Sequence, residues 1–435
     1  AELAVGDVSR NLVRLFFATT SLKKDPGVEA PAPVARPVNS VAIVGAGFMG
    51  AAIGGVAVAH AGVDVRFRDT DLPRVGQGLR TARRILDERL KRRRITKFDH
   101  RRQVALLSGS AGYDGFRRAD LVIEAVFEDL AAKHDVVRNV EAVVGDECVV
   151  ASNTSTIPIA RIAEVATRPE RILGMHFFSP VDRMPLLEVI ATDRTAPWAT
   201  VTAVGFGRRM GKTVIVVRDH PGFWVNRILA PYLNEAGRLL AEGMAIEDLD
   251  AAMVRFGFPV GPLTLLDEVG LDVASKSAEV LYQAFGERLA RTPGVHLMSK
   301  QGRFGRKSGA GFYRYHGGRR QGVDPSAYEV MGVRPGAVVP LDEATRRMVY
   351  AMLNEAVLAL QEGVVRSARD GDVGAVFGIG YPAFRGGPLR YLDSLGLDQA
   401  VAELRRLEAA WGARFHPAPL LVQMADSGSR FHGPA

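Results

Sequence analysis

Val41-Ala42-Ile43-Val44 runs directly into Gly45-Ala46-Gly47-Phe48-Met49-Gly50, and these ten residues decide the fold. Four apolar residues of this kind suit a strand buried on both faces. The glycines stand at the spacing GxGxxG, and Ala51 to His60 follows as a helix. In such a strand–turn–helix, the first glycine permits the tight turn. The second lets the backbone approach a ligand, and the third lets helix and strand pack closely. The helix N-terminus then offers free N–H groups and a positive dipole end to a pyrophosphate. Asp69, 19 residues beyond Gly50, ends the next apolar run. There it would accept hydrogen bonds from ribose hydroxyls and repel a 2′-phosphate. Gly45, Gly47, Gly50 and Asp69 together predict NAD as cofactor in preference to NADP. Arg68 should point to the opposite face of its strand.

The same pattern continues outward. Val63–Phe67, Leu121–Ala125, Cys148–Ala151, Ile172–Phe177, Leu186–Ile190 and Thr213–Val217 are short runs rich in Val, Ile or Leu. Alternating with helical segments, they predict an α/β Rossmann-like doubly wound domain. After Asp219 the strand pattern stops and long helical segments take over, from Pro221-Gly222-Phe223 onward. That half repeats itself. Asn234-Glu235-Ala236 with Glu242-Gly243 recurs as Asn354-Glu355-Ala356 with Glu362-Gly363. Gly261-Pro262-Leu263 with Leu266-Asp267 recurs as Gly387-Pro388-Leu389 with Leu392-Asp393. A duplicated all-helical domain is the expectation. The segments are read as 1–39 (a helix over 1–22 and a Pro-rich linker), 40–219 (dinucleotide-binding domain), 220–335 (first helical copy) and 336–435 (second copy).

Composition bounds the reading without choosing it. With 435 residues, 47% hydrophobic and 24% charged, the chain suits an ordinary globular protein of two or three domains. Its single cysteine, Cys148, cannot form an internal disulfide, which fits a reducing, cytoplasmic location. Val41 to Ala59 carries no charge, yet its five glycines argue against a membrane span. The net charge of +8 suggests anionic partners. No metal site is expected.

Two further segments carry chemistry. His176 ends an apolar strand in Met175-His176-Phe177-Phe178-Ser179-Pro180, where a histidine is as often a hydrogen-bonded core residue as a catalyst. Glu188, flanked by Leu186-Leu187 and Val189-Ile190, is a carboxylate that needs a partner to be tolerated there. A turn containing Pro180 and Pro185 would lay the two strands side by side and join the pair. A carboxylate holding one imidazole nitrogen leaves the other free as a base and stabilises the imidazolium. Ser152-Asn153-Thr154-Ser155 follows a buried strand at its C-terminal end, where open α/β sheets place ligands. A turn or helix cap explains those residue types equally well. Asn226 has a similar alternative as a polar surface residue.

Together these motifs resemble the L-3-hydroxyacyl-CoA dehydrogenases of fatty-acid β-oxidation. The likeness covers the chain from about residue 40 to the end, and its two helical copies make it resemble the dehydrogenase half of the bacterial multifunctional α-subunits. The likeness rests on Gly45–Gly50, Ser152–Ser155, residues 176–180 with Glu188, Pro221–Arg227 and Gly302–Tyr313. The resemblance implies NAD-dependent oxidation of an (S)-3-hydroxyacyl-CoA to the 3-oxoacyl-CoA. It makes His176 the base, Glu188 its orienting partner, and Ser155 and Asn226 the holders of the reacting oxygen. Met49, Asp69, Val126, Glu128, Lys133, Ser155 and Ser179 fall where the family touches NAD. Ser179 departs from the Asn usual there. Tyr391 matches a substrate-contacting tyrosine. A thiolase subunit and a homodimer are the implied partners. Residues 1–22 look like the helix that ends a hydratase half, so hydratase activity is expected to be absent from this chain.

Arg83, Arg84, Arg89, Lys91, Arg92, Arg93, Arg94, Lys97, Arg101 and Arg102 form a cationic run. A solvated helical face and a contact to CoA phosphates explain it equally well. Nucleic acid is disfavoured because no nucleic-acid fold accompanies it. The rival functional reading is a catalytically weak NAD-binding assembly subunit of a β-oxidation complex.

Overall fold

In the computed structural model, residues 6–336 and 339–433 are described. Residues 1–5, with which the expected first helix began, and 434–435 at the end of the second copy lie outside them. The chain divides into two compact units, one of residues 17–223 and one joining residues up to Phe16 to residues 224–435.

The first unit is built on one sheet of eight strands. These are β1 (Ser40–Val44), β2 (Asp64–Arg68), β3 (Leu107–Ser110), β4 (Leu121–Glu124), β5 (Val149–Ser152), β6 (Ile172–Phe177), β7 (Leu186–Ala191) and β8 (Thr213–Arg218). Their order across the sheet is β3-β2-β1-β4-β5-β6-β7-β8. Neighbours run parallel from β3 to β6; β7 turns antiparallel against β6, and β8 runs parallel to β7. Helices cover the sheet, and Val41, Ile43, Val65, Phe67, Leu121, Ile123 and Val149 are fully buried in it. Burial on both faces is why these strands read as continuous apolar runs. The order reverses at β1, between β2 and β4, and such a switch point opens the ligand crevice of a doubly wound sheet.

One strand was not expected. Leu107-Ser108-Gly109-Ser110 has no apolar run, because β3 is the edge strand and only partly buried.

The second unit is largely helical, with one correction to the expectation that strands end at Asp219. Tyr313–His316 (β9) and Arg319–Val323 (β10) form an antiparallel hairpin. Gly317 and Gly318 make its two-residue turn with φ of 55° and 74°, the left-handed conformation that such a turn requires. Otherwise the repeat is evident helix by helix. Val225–Ala241, Ile246–Phe256, Pro262–Val269, Leu271–Phe285 and Pro293–Lys300 recur as Leu341–Gln361, Ala368–Ile379, Pro388–Leu395, Leu397–Trp411 and Pro419–Asp426.

The two long helices are tied by exchanged ion pairs. Arg227, fully buried, reaches Glu355 at 2.8 Å and Glu362 at 2.7 Å. Arg347, equally buried, reaches Glu235 and Glu242, each at 2.6 Å. The spacing Arg, +8 Glu, +15 Glu is identical in both helices. Each arginine is planar and forked, so it can satisfy two carboxylates at once in a dry interface. A further arginine follows the same exchange: Arg288 bonds Glu355 at 2.9 Å, and Arg414 bonds Glu235 at 2.8 Å.

The amino-terminal helix, Asp7–Leu22, joins the helical unit through Asn11. The Asn11 amide donates to the Phe384 carbonyl at 3.1 Å and accepts from Arg390 at 3.0 Å. Phe16 and Phe17 of that helix are exposed. The cationic run lies on the helices Leu72–Lys91 and Lys97–Ala105 and, with Arg92, Arg93 and Arg94, on the turn between them. Its ion pairs there, Arg83–Asp87 and Arg92–Glu88, are solvent-exposed at 3.7 Å, and pairs of that kind stabilise little. No described helix is long and apolar enough to cross a membrane.

Candidate functional site

The glycine turn closes as its sequence requires. Gly45 has φ +95°, and a side chain on it would stand 2.5 Å from the Ala125 carbonyl oxygen after β4. A side chain on Gly50 would meet the Gly45 carbonyl at 1.9 Å. Gly47, by contrast, has nothing within 4 Å of where its side chain would be. It sits at the N-cap of the Phe48–Val56 helix, where no side chain occupies the first N–H groups. The turn therefore keeps a glycine-sized opening in front of a free helix N-terminus, which fits a dinucleotide pyrophosphate.

Asp69 lies against the same turn. Its carboxylate accepts the Ala46 N–H at 2.7 Å and the Thr70 N–H at 2.7 Å. Oδ1 also accepts the Thr70 hydroxyl at 3.3 Å, so Oδ2 is the oxygen with a second lone pair for a ribose hydroxyl. Arg68 engages elsewhere, its guanidinium lying 4.8 Å over the Tyr113 ring. The half-buried Met49 and the exposed Phe48 and Phe127 border the turn and the loop after β4.

Beyond β4 a polar network links several expected cofactor residues. Lys133 is 1% exposed and bridges Glu124 at 2.9 Å and Glu128 at 3.2 Å. Glu124 also accepts the Val126 N–H at 2.7 Å and the Ser152 hydroxyl. Glu128 Oε1 accepts the Thr154 hydroxyl at 2.6 Å and the Ser155 N–H at 3.0 Å. Burial would raise the Glu128 carboxyl, but Lys133, Thr154 and Ser155 outweigh it and hold it below the usual carboxylate range. The Ser-Asn-Thr-Ser segment is thus a turn fastened to the loop after β4, as the turn reading expects. Glu124 was not singled out by sequence, and within the Ser152–Ser155 motif only Ser155 was given a role. A glutamate closing the apolar run Leu121-Val122-Ile123 carried the same signal as Glu188.

His176 and Glu188 are brought together as expected. They are direct cross-strand partners in the β6–β7 ladder, with His176 Nδ1 2.7 Å from Glu188 Oε2. Glu188 is fully buried and His176 nearly so. Phe178 and Phe223 flank the imidazole at centroid distances of 4.4 and 5.8 Å. Asn153 ties the preceding strand to this one, its Oδ1 accepting the Phe177 N–H at 2.9 Å. Lys212, unremarked in the sequence, donates to the Val181 and Met184 carbonyls and so pins the turn joining β6 to β7. Ser179 is exposed just past β6. Asn226 and Tyr391 belong to the helical unit. Asn226 opens the Val225–Ala241 helix, and Tyr391 stacks edge-on to Phe256 at 5.6 Å beneath Arg385.

A histidine held by a buried carboxylate, on a sheet whose switch point is shaped for a dinucleotide, fits an NAD-dependent dehydrogenase. Comparison with known proteins narrows this further. The sequence pattern of the 3-hydroxyacyl-CoA dehydrogenase NAD binding domain matches residues 40–220, and that of the C-terminal domain matches 222–315 and 344–431. The chain belongs to the 3-hydroxyacyl-CoA dehydrogenase family.

It is 46% identical over 436 residues to the fatty acid oxidation complex subunit alpha of Shewanella sp. strain MR-4, and 47% identical over 432 residues to that of Shewanella loihica. Each match takes in 99% of this chain but 61% of the relative's length. Among solved structures, 3-hydroxybutyryl-CoA dehydrogenase from Escherichia coli K12 aligns with a TM-score of 0.79 at 29% identity. That alignment covers 90% of this chain and all of the other. The dehydrogenase part of multifunctional enzyme 1 from C. elegans aligns at 0.65 and 25% identity, covering 95% and 98%.

Proposed function

We propose that the chain oxidises the 3-hydroxyl of an (S)-3-hydroxyacyl-CoA to the 3-oxoacyl-CoA, as the dehydrogenase part of a longer β-oxidation protein. The His176–Glu188 pair carries this reading. With Glu188 on Nδ1, the imidazole keeps its proton there and presents Nε2 as a base. His176 removes the hydroxyl proton, and Glu188 stabilises the imidazolium that results. NAD, when bound, supplies the hydride acceptor for C3. Gly45, Gly47 and Gly50 would admit its pyrophosphate, and Asp69 its ribose. Met49, Val126, Glu128, Lys133, Ser155 and Ser179 would border or shape the remainder. Lys133 would act through Glu124 and Glu128, since its ammonium is buried between them. Ser155 and Asn226 would hold the reacting oxygen, and Tyr391 would contact the substrate.

The proposed domains are 40–219 for the cofactor, 220–335 and 336–435 for the two helical copies, and 1–39 as a helix and linker. A thiolase subunit, a homodimer and a cytoplasmic location belong to the same proposal. The basic helices at Arg83–Arg102 would meet CoA phosphates.

The test is NADH formation from (S)-3-hydroxybutyryl-CoA by the purified chain and by His176→Ala. The variant should lose nearly all turnover while its affinity for NADH is kept. Unchanged turnover in the variant, or no turnover in the wild type, overturns the assignment; the second result would favour the assembly-subunit reading.

A further inference from the structure

The helical unit contains an apolar cavity of about 120 Å³ in its first copy that the chemistry above does not use. Its wall along the Val225–Ala241 helix is Asn226, Leu229, Ala230, Leu233 and Asn234. These recur at i, i+3/i+4 and i+7/i+8 and so form one stripe. Leu265, Val269 and Leu281 face them from the following helices. The stripe begins at a polar amide, Asn226, and runs about 12 Å along the helix axis to Asn234.

The far end is closed by the segment 289–292. Asn234 donates to the Leu289 carbonyl at 3.3 Å and Arg238 to the Ala290 carbonyl at 3.2 Å, fixing that segment on the helix. Thr292 is seated on Gly237: a side chain on that glycine would stand 2.3 Å from the Thr292 hydroxyl oxygen. Beyond Thr292 lies a second cavity of about 110 Å³, and Leu266, Thr292 and Val295 wall both.

The second copy provides an internal control. The exchanged pairs Arg227/Arg347 and Glu235/Glu355 set a correspondence of 120 residues between the long helices. By that correspondence Asn226 is replaced by Arg346, and Ala230 by Tyr350. Only the first copy joins a neutral amide to a small side chain at these two places.

We propose that this cavity holds the acyl tail of the substrate, extending from Asn226, and that Thr292 is the stop that sets the preferred tail length. The inference rests on the function proposed above, in which Asn226 holds the reacting oxygen. A saturated chain gains from burial in such a lining, and each methylene sequestered there tightens binding about fourfold. Selectivity should therefore climb with tail length and level off where the tail meets Thr292.

The experiment measures kcat/KM of the full chain on 3-hydroxyacyl-CoAs from butyryl to hexadecanoyl, with wild type, Ala230→Tyr and Thr292→Ala. The wild type should rise about 16-fold per added pair of carbons and then plateau. Ala230→Tyr, which copies the second repeat, should reduce the decanoyl-to-butyryl ratio at least tenfold. Thr292→Ala should move the plateau to longer tails. Should Ala230→Tyr fail to fold, the Thr292→Ala plateau decides alone. An unchanged ratio in Ala230→Tyr, an unmoved plateau in Thr292→Ala, or a change in oligomeric size in place of a changed ratio overturns the cavity assignment. Wild-type turnover of the butyryl substrate is the separate readout: without it, the underlying function fails, whatever the tail does.

Discussion

Glu188→Gln is the most searching substitution at the site, because it removes a charge while keeping nearly the same shape. Glu188 is fully buried between Leu187 and Val189, and its carboxylate lies 2.7 Å from His176 Nδ1. When the imidazole takes a proton, two opposite charges face each other in a water-poor strand pair. For charges about 4 Å apart at an effective dielectric near 20, that attraction is about 4 kcal/mol. The amide gives back about 1 kcal/mol as a neutral hydrogen bond. The remaining 3 kcal/mol or so corresponds to a fall in kcat of about 100-fold. General-base contributions of roughly 10²–10⁴ bracket this figure.

Steady-state NADH formation at saturating substrate is the assay, with NADH affinity from fluorescence and a thermal melt as controls. The expected pattern is a large loss in kcat with the affinity and the melt little changed. A kcat within threefold of wild type would show that Glu188 merely fills space beside the histidine. A collapse of the melt would move the explanation from chemistry to folding.

Other substitutions test the frame around the site. Arg347→Met leaves the buried Glu235 with only part of its compensation, since Arg414 still reaches it, so the low end of a 3–5 kcal/mol loss is expected. That loss lowers the melting temperature of the helical unit by roughly 6–12 °C, and a shift under about 2 °C would show the exchanged pairs to be incidental. Burial pushes the Lys212 ammonium down to about 8, against the pull of Asp182, whereas an unfolded lysine titrates at about 10.4. The unfolded chain then binds more protons across that window, so the wild type should gain in melting temperature relative to Lys212→Met as pH rises from 8 to 10. A flat difference refutes the burial of that ammonium. Burial also pushes the Cys148 thiol up to about 12, so a thiol reagent at pH 8 should label the protein only after denaturation. Native labelling at the denatured rate would contradict its placement.

Much of the frame was legible because burial on both faces writes itself as unbroken Val, Ile and Leu runs. β2 departs from that signature by alternating buried Val65 and Phe67 with Asp64, Arg66 and Arg68, and β3 escapes it because an edge strand has little to bury. The hairpin at Tyr313–Val323 escaped for a different reason: its residues are mostly polar and exposed, and only Gly317-Gly318 hints at the turn. Glu188 was legible as a charge in an apolar strand, and the same reasoning applied to Glu124 would have led to Lys133 nine residues on. The exchange of Arg227 and Arg347 was not legible. The repeat locates the glutamates, but which arginine crosses to which helix depends on packing that no linear spacing states.

The duplicated half separates what packing demands from what chemistry demands. Arg227 and Arg347, Glu235 and Glu355, and Glu242 and Glu362 are kept in both copies, since each member of a buried pair strands its partner if lost. A second kept feature is the capping of a helix N-terminus: Asp250 receives the Leu263 and Thr264 N–H groups, and Asp372 those of Leu389 and Arg390. Elsewhere the copies diverge while keeping the contact. Tyr313 reaches Asp250 at 2.8 Å, and His432, from the end of the chain, reaches Asp372 at 2.7 Å in its place. Such replacements preserve geometry with a different group, so they report on stability. Asn226 to Arg346 adds a charge, and Ala230 to Tyr350 adds an aromatic ring. Leu233 and Asn234 of the same stripe recur as Leu353 and Asn354, so the change is confined to its first turn, and a change so local beside fixed ion pairs answers to something outside the packing. In the first copy, the two positions that differ, Asn226 and Ala230, both line the apolar cavity.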